Sequence, residues 1–342
     1  MMAVTVLAVL LASAVGCQRD TGQDDTSRAV VIVSGGNATS PFTTPDQACV
    51  TGLAAGNTDT ALREHLLGQG MTVFTAPAMA GRGQVRDQTG FGAFGVCPVT
   101  LPDNLTVNST GSIDLAGEHL ARFLNWLHTE KGVGEVDLVA HSMGGLYSRS
   151  AIRVLATTGA PVQVRSLTTI GTPWQGTYLA DYANGDLALT DCLGDSFCEA
   201  GMKAMKAEVE RLVAGSGREV TAAYLTGDDG WNDFQSGVLD DIAVTLIGGN
   251  RFTVAGRANP AVWPNDGLVA LRSALAADVG DPVLPHRRCH TFDDTHSIFV
   301  SNQTGLAWDT ALTWDPRVLD VVHQAVQNAS TDGPNREGCP AA

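Results

Sequence analysis

What most limits the fold of this chain is a repeated alternation. Short runs of β-branched and other apolar residues are separated by stretches whose apolar residues fall at helical spacing. Residues 29–33 (Ala-Val-Val-Ile-Val) run into Ser34-Gly35-Gly36 and read as a strand buried on both faces, followed by a glycine turn. Residues 60–69 place Leu62, Leu66 and Leu67 on one helical face, Gly70 stops them, and 71–74 return to strand character. A longer helix is predicted over 114–131, with Leu120, Phe123, Leu124 and Leu127 as its stripe. Gly132 and Gly134 end it before a second buried strand at 136–140. Further strands are expected at 164–170 and 242–248, whereas 76–110, rich in Gly, Pro, Asn and Thr without a period, reads as a long surface excursion. Such alternation specifies an α/β chain: a mostly parallel sheet with helices covering both faces.

Composition narrows the function classes. At 342 residues and 44% hydrophobic the chain buries a large core, and 21 Lys plus Arg against 36 Asp plus Glu leave a net charge of −15. No basic patch is there to release counterions from a polyanion, so nucleic acid is excluded as a partner. Residues 1–16 form a continuous apolar and small run, too short to span a bilayer and suited to a secretion signal. Two processing readings fit it: cleavage after Ala12-Ser13-Ala14, or lipid attachment at Cys17, with 17–28 as a polar linker to a membrane surface. Setting Cys17 aside, six cysteines remain (Cys49, Cys97, Cys192, Cys198, Cys289 and Cys339), an even set suited to disulfides in an oxidising compartment. Pairing sequence neighbours gives 49–97, 192–198 and 289–339, of which the short 192–198 loop is the pairing best supported by spacing. The last residues, 330–342, read as a tail.

The strongest chemical signal follows the strand at 136–140. Ala140-His141-Ser142-Met143-Gly144 matches the G-x-S-x-G nucleophile elbow with Ala in first place, between a predicted strand and a helix predicted over 145–156. The turn admits only very small side chains two residues to either side of the serine, which Ala140 and Gly144 satisfy. The helix start directs its free N–H groups at the reacting centre, which makes the Met143 N–H a candidate oxyanion donor. The bland alternative is a serine that merely caps a helix.

Ala140-His141-Ser142-Met143-Gly144-Gly145, with Gly171-Thr172-Pro173-Trp174-Gln175-Gly176-Thr177 after a later strand and Asn265-Asp266-Gly267-Leu268-Val269 beyond it, is similar to secreted bacterial lipases and esterases of the α/β-hydrolase superfamily. Trp174 stands where that family usually has His. The resemblance covers most of the chain from Ala29 to about Val326 and implies one domain of the α/β-hydrolase fold over 28–329, carboxylic ester or lipid substrates, no cofactor, and a triad in the order Ser, acid, His. Asp266, on a turn at the end of a strand, is the acid that the resemblance indicates; its bland reading is a residue that only makes the turn. Asp240 and Asp241 precede a strand and so lie at the wrong edge of the sheet. Of the late histidines, His296 is best placed as the base, ahead of the final helix that Asp315-Pro316 begins. His290 is the reserve, and His323 is a residue of that helix.

The second oxyanion donor is expected in the loop after the first strand, at Gly36, with a slip of one to Gly35 or Asn37 left open. Residues 177–241 are read as an inserted cap or lid, including a helix over 197–214 whose face carries Met202, Met205, Val209 and Leu212. That stripe suits equally a lid over the active site, able to meet a lipid surface, or a helix packed on the body. His286, Cys289, His290, Asp293 and Asp294 can be read as metal ligands, but their spacing is irregular and no metal is carried over. Together these residues point to a serine carboxylester hydrolase. An acyltransferase, thioesterase or polyester depolymerase on the same triad, or a catalytically silent envelope-anchored binding protein, are the alternatives.

Overall fold

A computed structural model describes residues 27–211, 216–256, 258–332 and 336–339. The apolar run at 1–16 and Cys17 lie outside the described residues. In chain order the elements begin with β1 (Ser27–Val33), α1 (Asp59–Gly68), β2 (Val73–Thr75), β3 (Ala78–Met79), β4 (Val107–Asn108), α2 (Ile113–Lys131), β5 (Val133–His141), α3 (Gly144–Thr158) and β6 (Gln163–Ile170). They continue with α4 (Tyr178–Asn184), α5 (Ser196–Arg211), α6 (Ser216–Glu219), α7 (Ala222–Thr226), β7 (Ala243–Gly249), α8 (Leu271–Ala274), β8 (Arg287–Phe292), α9 (Ile298–Thr304), α10 (Pro316–Gln327) and β9 (Arg336–Glu337).

Seven strands form one sheet in the order β2-β1-β5-β6-β7-β8-β9, every neighbouring pair parallel. Because side chains alternate across a strand, β1 sends Val31 and Val33 to one face and Val30 and Ile32 to the other. The first face is covered by α2 and α3 through Leu120, Leu124, Leu127 and Leu146, and the second by α1 and α10 through Leu62, Leu66, Val318 and Val322. The α2 helix starts where the Ser112 side chain accepts the Leu115 N–H (3.2 Å) and ends at Gly132 in the left-handed conformation (φ 69°). Gly134, expected to end that helix, lies inside β5.

Two expectations are corrected. Residues 76–110 are a surface excursion only in part: 80–100 lie mostly at the surface, but β3 pairs with β4 and Leu101, Leu105 and Val107 are buried under α2, so apolar residues without a period still reach the core. Arg287–Phe292 is a strand, although nothing in its charged sequence suggested one. Its edge is occupied by β9, so residues within the expected tail join the sheet.

The six cysteines pair as 49–97, 192–198 and 289–339, the neighbour pairing. Within 177–241, Met202 is fully buried and Met205 partly buried against Tyr178, Leu179, Val262 and Trp263, so this part of the α5 stripe packs on the body; Leu212 lies outside the described residues. Among the described residues no helix is long and apolar enough to cross a membrane.

The Cys289–Cys339 bond joins residues 50 apart and fastens β9 to β8. Replacing both cysteines by alanine is expected to lower unfolding stability by about 2–4 kcal/mol, as loop-closure entropy returns to the unfolded chain. Urea denaturation of the purified variant measures it.

Candidate active site

The turn between β5 and α3 holds Ser142 at φ 55°, in the left-handed region that a residue with a Cβ adopts only when its surroundings impose it. Those surroundings are specific. The Ser142 N–H donates to the Ile170 carbonyl (2.8 Å), and the Ser142 carbonyl accepts from the Thr172 hydroxyl (2.7 Å) and the Gly145 N–H (3.1 Å). The small flanking residues have a measurable reason. A Cβ on Gly144 would lie 2.5 Å from the Val33 carbonyl oxygen, and one on Gly35 would lie 2.5 Å from the Ser142 Cβ.

Asp266, fully buried, and His296, almost so, meet across the carboxyl end of the sheet: His296 Nδ1–H donates to Asp266 Oδ2 at 2.7 Å. The other carboxylate oxygen accepts the Leu268 and Val269 N–H groups (3.0 and 2.7 Å), and the His296 N–H donates to the Asp266 carbonyl (2.8 Å). With Nδ1 carrying the proton, Nε2 of His296 is left with its lone pair. Gly171, at φ 60°, lies so close that a Cβ would come within 2.9 Å of His296 Nδ1 and 3.1 Å of Asp266 Oδ2. Since Ser142 is bonded to Ile170 and Thr172 on either side of Gly171, the serine and the His–Asp pair share one corner of the fold. Among the described residues no hydrogen bond joins Ser142 Oγ to His296.

His141, which the sequence reading passed over, sits between them. It is buried, its ring centroid is 4.6 Å from that of His296, and its Nε2 lies 2.9 Å from the His296 carbonyl oxygen. A carbonyl only accepts, so Nε2 carries a proton. Burial first, and then the neighbouring His296, push its pKa down to about 3. The available signal was its place next to the serine at the end of a strand.

The remaining expected residues fall as follows. Asn37 is committed elsewhere, its N–H donating to the Ser109 carbonyl (3.0 Å), which removes it as an oxyanion donor. Among the described residues the N–H groups of Met143, Gly35 and Gly36 meet no protein acceptor, and a Cβ on Gly36 would lie 2.6 Å from the Met143 sulfur. His290 lies within β8 opposite Ile247, and the histidine bonded to Asp266 is His296. His323 is in α10, and Asp240 and Asp241 precede β7, at the opposite edge of the sheet. The metal reading of 286–294 dissolves: Cys289 is in a disulfide, Asp293 pairs with Arg251 (3.0 Å), and no group of three or more ligand residues occurs among the described residues. Asp294 is buried beside Asp315, and burial and then that neighbour raise its pKa to about 7. Trp174 is fully buried, its Nε1–H donating to the Thr169 hydroxyl (3.1 Å), so it is a core residue.

No protein-family model matches the chain. A segment of 78 residues, 23% of the chain, is 40% identical to a triacylglycerol lipase of Pseudarthrobacter phenanthrenivorans and to one of Burkholderia plantarii. The match spans 23% and 20% of those proteins, so the chain covers under a quarter of the curated relatives it matches. Among solved structures, lipase BlEst2 of Bacillus licheniformis in its propeptide form superposes on 93% of this chain and 53% of its own, with a TM-score of 0.50 and 15% identity. The chain has the α/β-hydrolase fold. At that identity the structural likeness is one of fold.

Two outcomes follow. Gly35→Ala forces a methyl against the serine and should reduce turnover at least tenfold more than Gly36→Ala, whose methyl meets only the end of a flexible thioether; steady-state kinetics of the two variants compare them. Unfolded His141 takes a proton near its ordinary pKa of 6.5, whereas the folded side chain resists until about 3, so its contribution to stability is present above 6.5 and is lost as pH falls toward 3. Between pH 7 and 4.5 this is a loss on the order of 2 kcal/mol, which His141→Gln should abolish in urea titrations.

Proposed function

We propose that the chain is a serine carboxylester hydrolase, a lipase or esterase working through an acyl-enzyme on Ser142. The observation that carries this reading is the buried His296–Asp266 pair, bonded at 2.7 Å, in the same corner as a serine held at φ 55°. His296 Nε2 takes the Ser142 proton as Oγ adds to the ester carbonyl. The negative charge that develops on the carbonyl oxygen is held by the Met143 and Gly36 N–H groups. Collapse of the tetrahedral intermediate expels the alcohol, which leaves with the proton from His296. Water then adds to the acyl-enzyme by the same route in reverse and frees the acid. Asp266 keeps the proton on Nδ1 and stabilises the imidazolium that forms.

Supporting an ester or lipid substrate are the named triacylglycerol lipases that share a segment with the chain. The three disulfides suit an oxidising, extracellular setting. In keeping with that, we read the enzyme as exported, with the cap at 177–241 beside its active site and Cys17 as the point of lipid attachment where an anchor is used.

Ser142→Ala and His296→Ala should each lower ester turnover on the order of 10⁴-fold while leaving thermal unfolding nearly unchanged. Because only a neutral imidazole accepts the serine proton, the wild-type rate should rise with pH and level off in mild alkali. Labelling by a fluorophosphonate in wild type but not in Ser142→Ala is the expected result. No labelling of either protein, with no ester hydrolysis, would make the chain a silent binding protein. Activity retained by His296→Ala and lost in His290→Ala would overturn the choice of base.

A further inference from the structure

Asp59 is a fully buried acid that this chemistry does not use. It is the first residue of α1, and among the described residues it has no cationic partner. Its carboxylate is held by hydroxyls instead. One oxygen, Oδ2, accepts from both Ser34 and Ser40, the latter at 2.6 Å, and Oδ1 accepts from Thr58 at 3.0 Å. Ser34 and Ser40 are themselves buried, and their hydroxyls are 2.5 Å apart. Burial raises the pKa of Asp59 and the three hydroxyl donors work against that rise.

The serines are the two ends of one loop. Ser34 follows the last residue of β1 and precedes Gly35, and the Ser34 and Val33 carbonyls rest against Gly144 at the start of α3. Ser40 is fixed on the other side, its N–H and carbonyl paired with Ala78 at 2.8 and 2.9 Å. Between the two ends lie Gly35 and Gly36, whose N–H groups meet no protein acceptor among the described residues and whose backbone is in contact with Ser142 and Met143. A buried carboxylate needs full hydrogen bonding to be tolerated, so the loop ends are drawn to one point.

We propose that Asp59 is a positioning residue for the oxyanion site: by gripping Ser34 and Ser40 it sets where the Gly35–Gly36 amides stand relative to Ser142. The proposal rests on the hydrolase reading above. It places the effect on the transition state, because the ground-state carbonyl asks less of those amides than the oxyanion does.

The test is steady-state hydrolysis of a p-nitrophenyl ester by Ser34→Ala, Asp59→Ala and Asp59→Asn, with thermal unfolding of each. Loss of a whole oxyanion donor costs about 10²–10³ in kcat, so a misplaced one in Ser34→Ala should cost roughly 10–100-fold in kcat with KM within about twofold. Asp59→Asn keeps an accepting oxygen for the two serines and should recover most of what Asp59→Ala loses. The Cys289→Ala/Cys339→Ala variant, destabilised at the edge of the sheet far from β1, supplies a control with normal kcat. Unchanged kcat in folded Ser34→Ala, with only a lower melting temperature, would overturn the proposal and leave the Ser142 reading intact. If Asp59→Ala does not fold, Ser34→Ala and Asp59→Asn decide the matter alone. Hydrolysis persisting in Ser142→Ala would instead remove the reading beneath it.

Discussion

The left-handed backbone at Ser142 is the constraint on which the rest of the site depends. A serine in that conformation costs on the order of 1–3 kcal/mol, and it persists only where neighbouring structure leaves no other choice. Here the choice is removed from three sides. The end of β6 and the Thr172 hydroxyl hold its N–H and carbonyl, the glycine loop after β1 presses on its Cβ, and the first turn of α3 follows at once. Each of these elements belongs to the parallel sheet or its crossovers. Strand order places β1 and β6 on either side of β5, and that arrangement brings a loop from each against the serine. Relaxing the turn would therefore require moving strands whose residues are buried on both faces.

The buried acids of this protein show how environment separates residues of one type. Asp137 is fully buried and paired with Arg28 (2.6 Å) and Arg165 (2.9 Å), a structural use that ties β1, β5 and β6 together. Asp266 is held by two backbone N–H groups and an imidazole, which leaves its charge directed at one side chain. Asp59 is held by hydroxyls, and Asp294 is beside a second carboxyl and rises to about 7. Of the four, Asp266 is the one whose bonding leaves a titratable partner with a free lone pair, which is what general-base chemistry requires.

Much of this arrangement was legible in the sequence because it is local. The buried strands are β-branched runs, the helices carry stripes, and Asp266 and His296 follow Ser142 in the order the fold imposes on its loops. What was not legible is tertiary. The β8 strand reads Arg-Arg-Cys-His-Thr-Phe, a pattern without apolar alternation. It is a strand because β7 pairs with it, and because Arg287 is buried with its guanidinium bonded to the Ala276 and Val279 carbonyls and to Asp281. Once the strand is seen, the irregular spacing of Cys289 and His290 is explained by alternation across a sheet and a disulfide. The burial of Leu101, Leu105 and Val107 was hidden for a related reason, since an apolar residue in an aperiodic segment gives no sign of which helix will cover it.

Arg149 carries that lesson furthest. It is fully buried on α3, the helix that begins beside Ser142, and its guanidinium carbon lies 4.2 Å from the Trp174 ring centroid and 4.8 Å from that of Trp231. Nη1 donates to Asn232 (2.8 Å), which in turn donates to the Trp174 carbonyl (2.9 Å), whereas Nε and Nη2 have no hydrogen-bond partner among the described residues. Burial lowers its pKa to about 9, so the group is charged at neutral pH and its charge is stabilised largely by the two indole faces. In that sandwich Trp174 supplies one aromatic wall for a cation that no carboxylate accompanies among the described residues. The other wall, Trp231, comes from the segment 177–241. That segment is therefore fastened to α3, the helix after Ser142, by an interaction that loses its meaning if either tryptophan or the arginine is read alone.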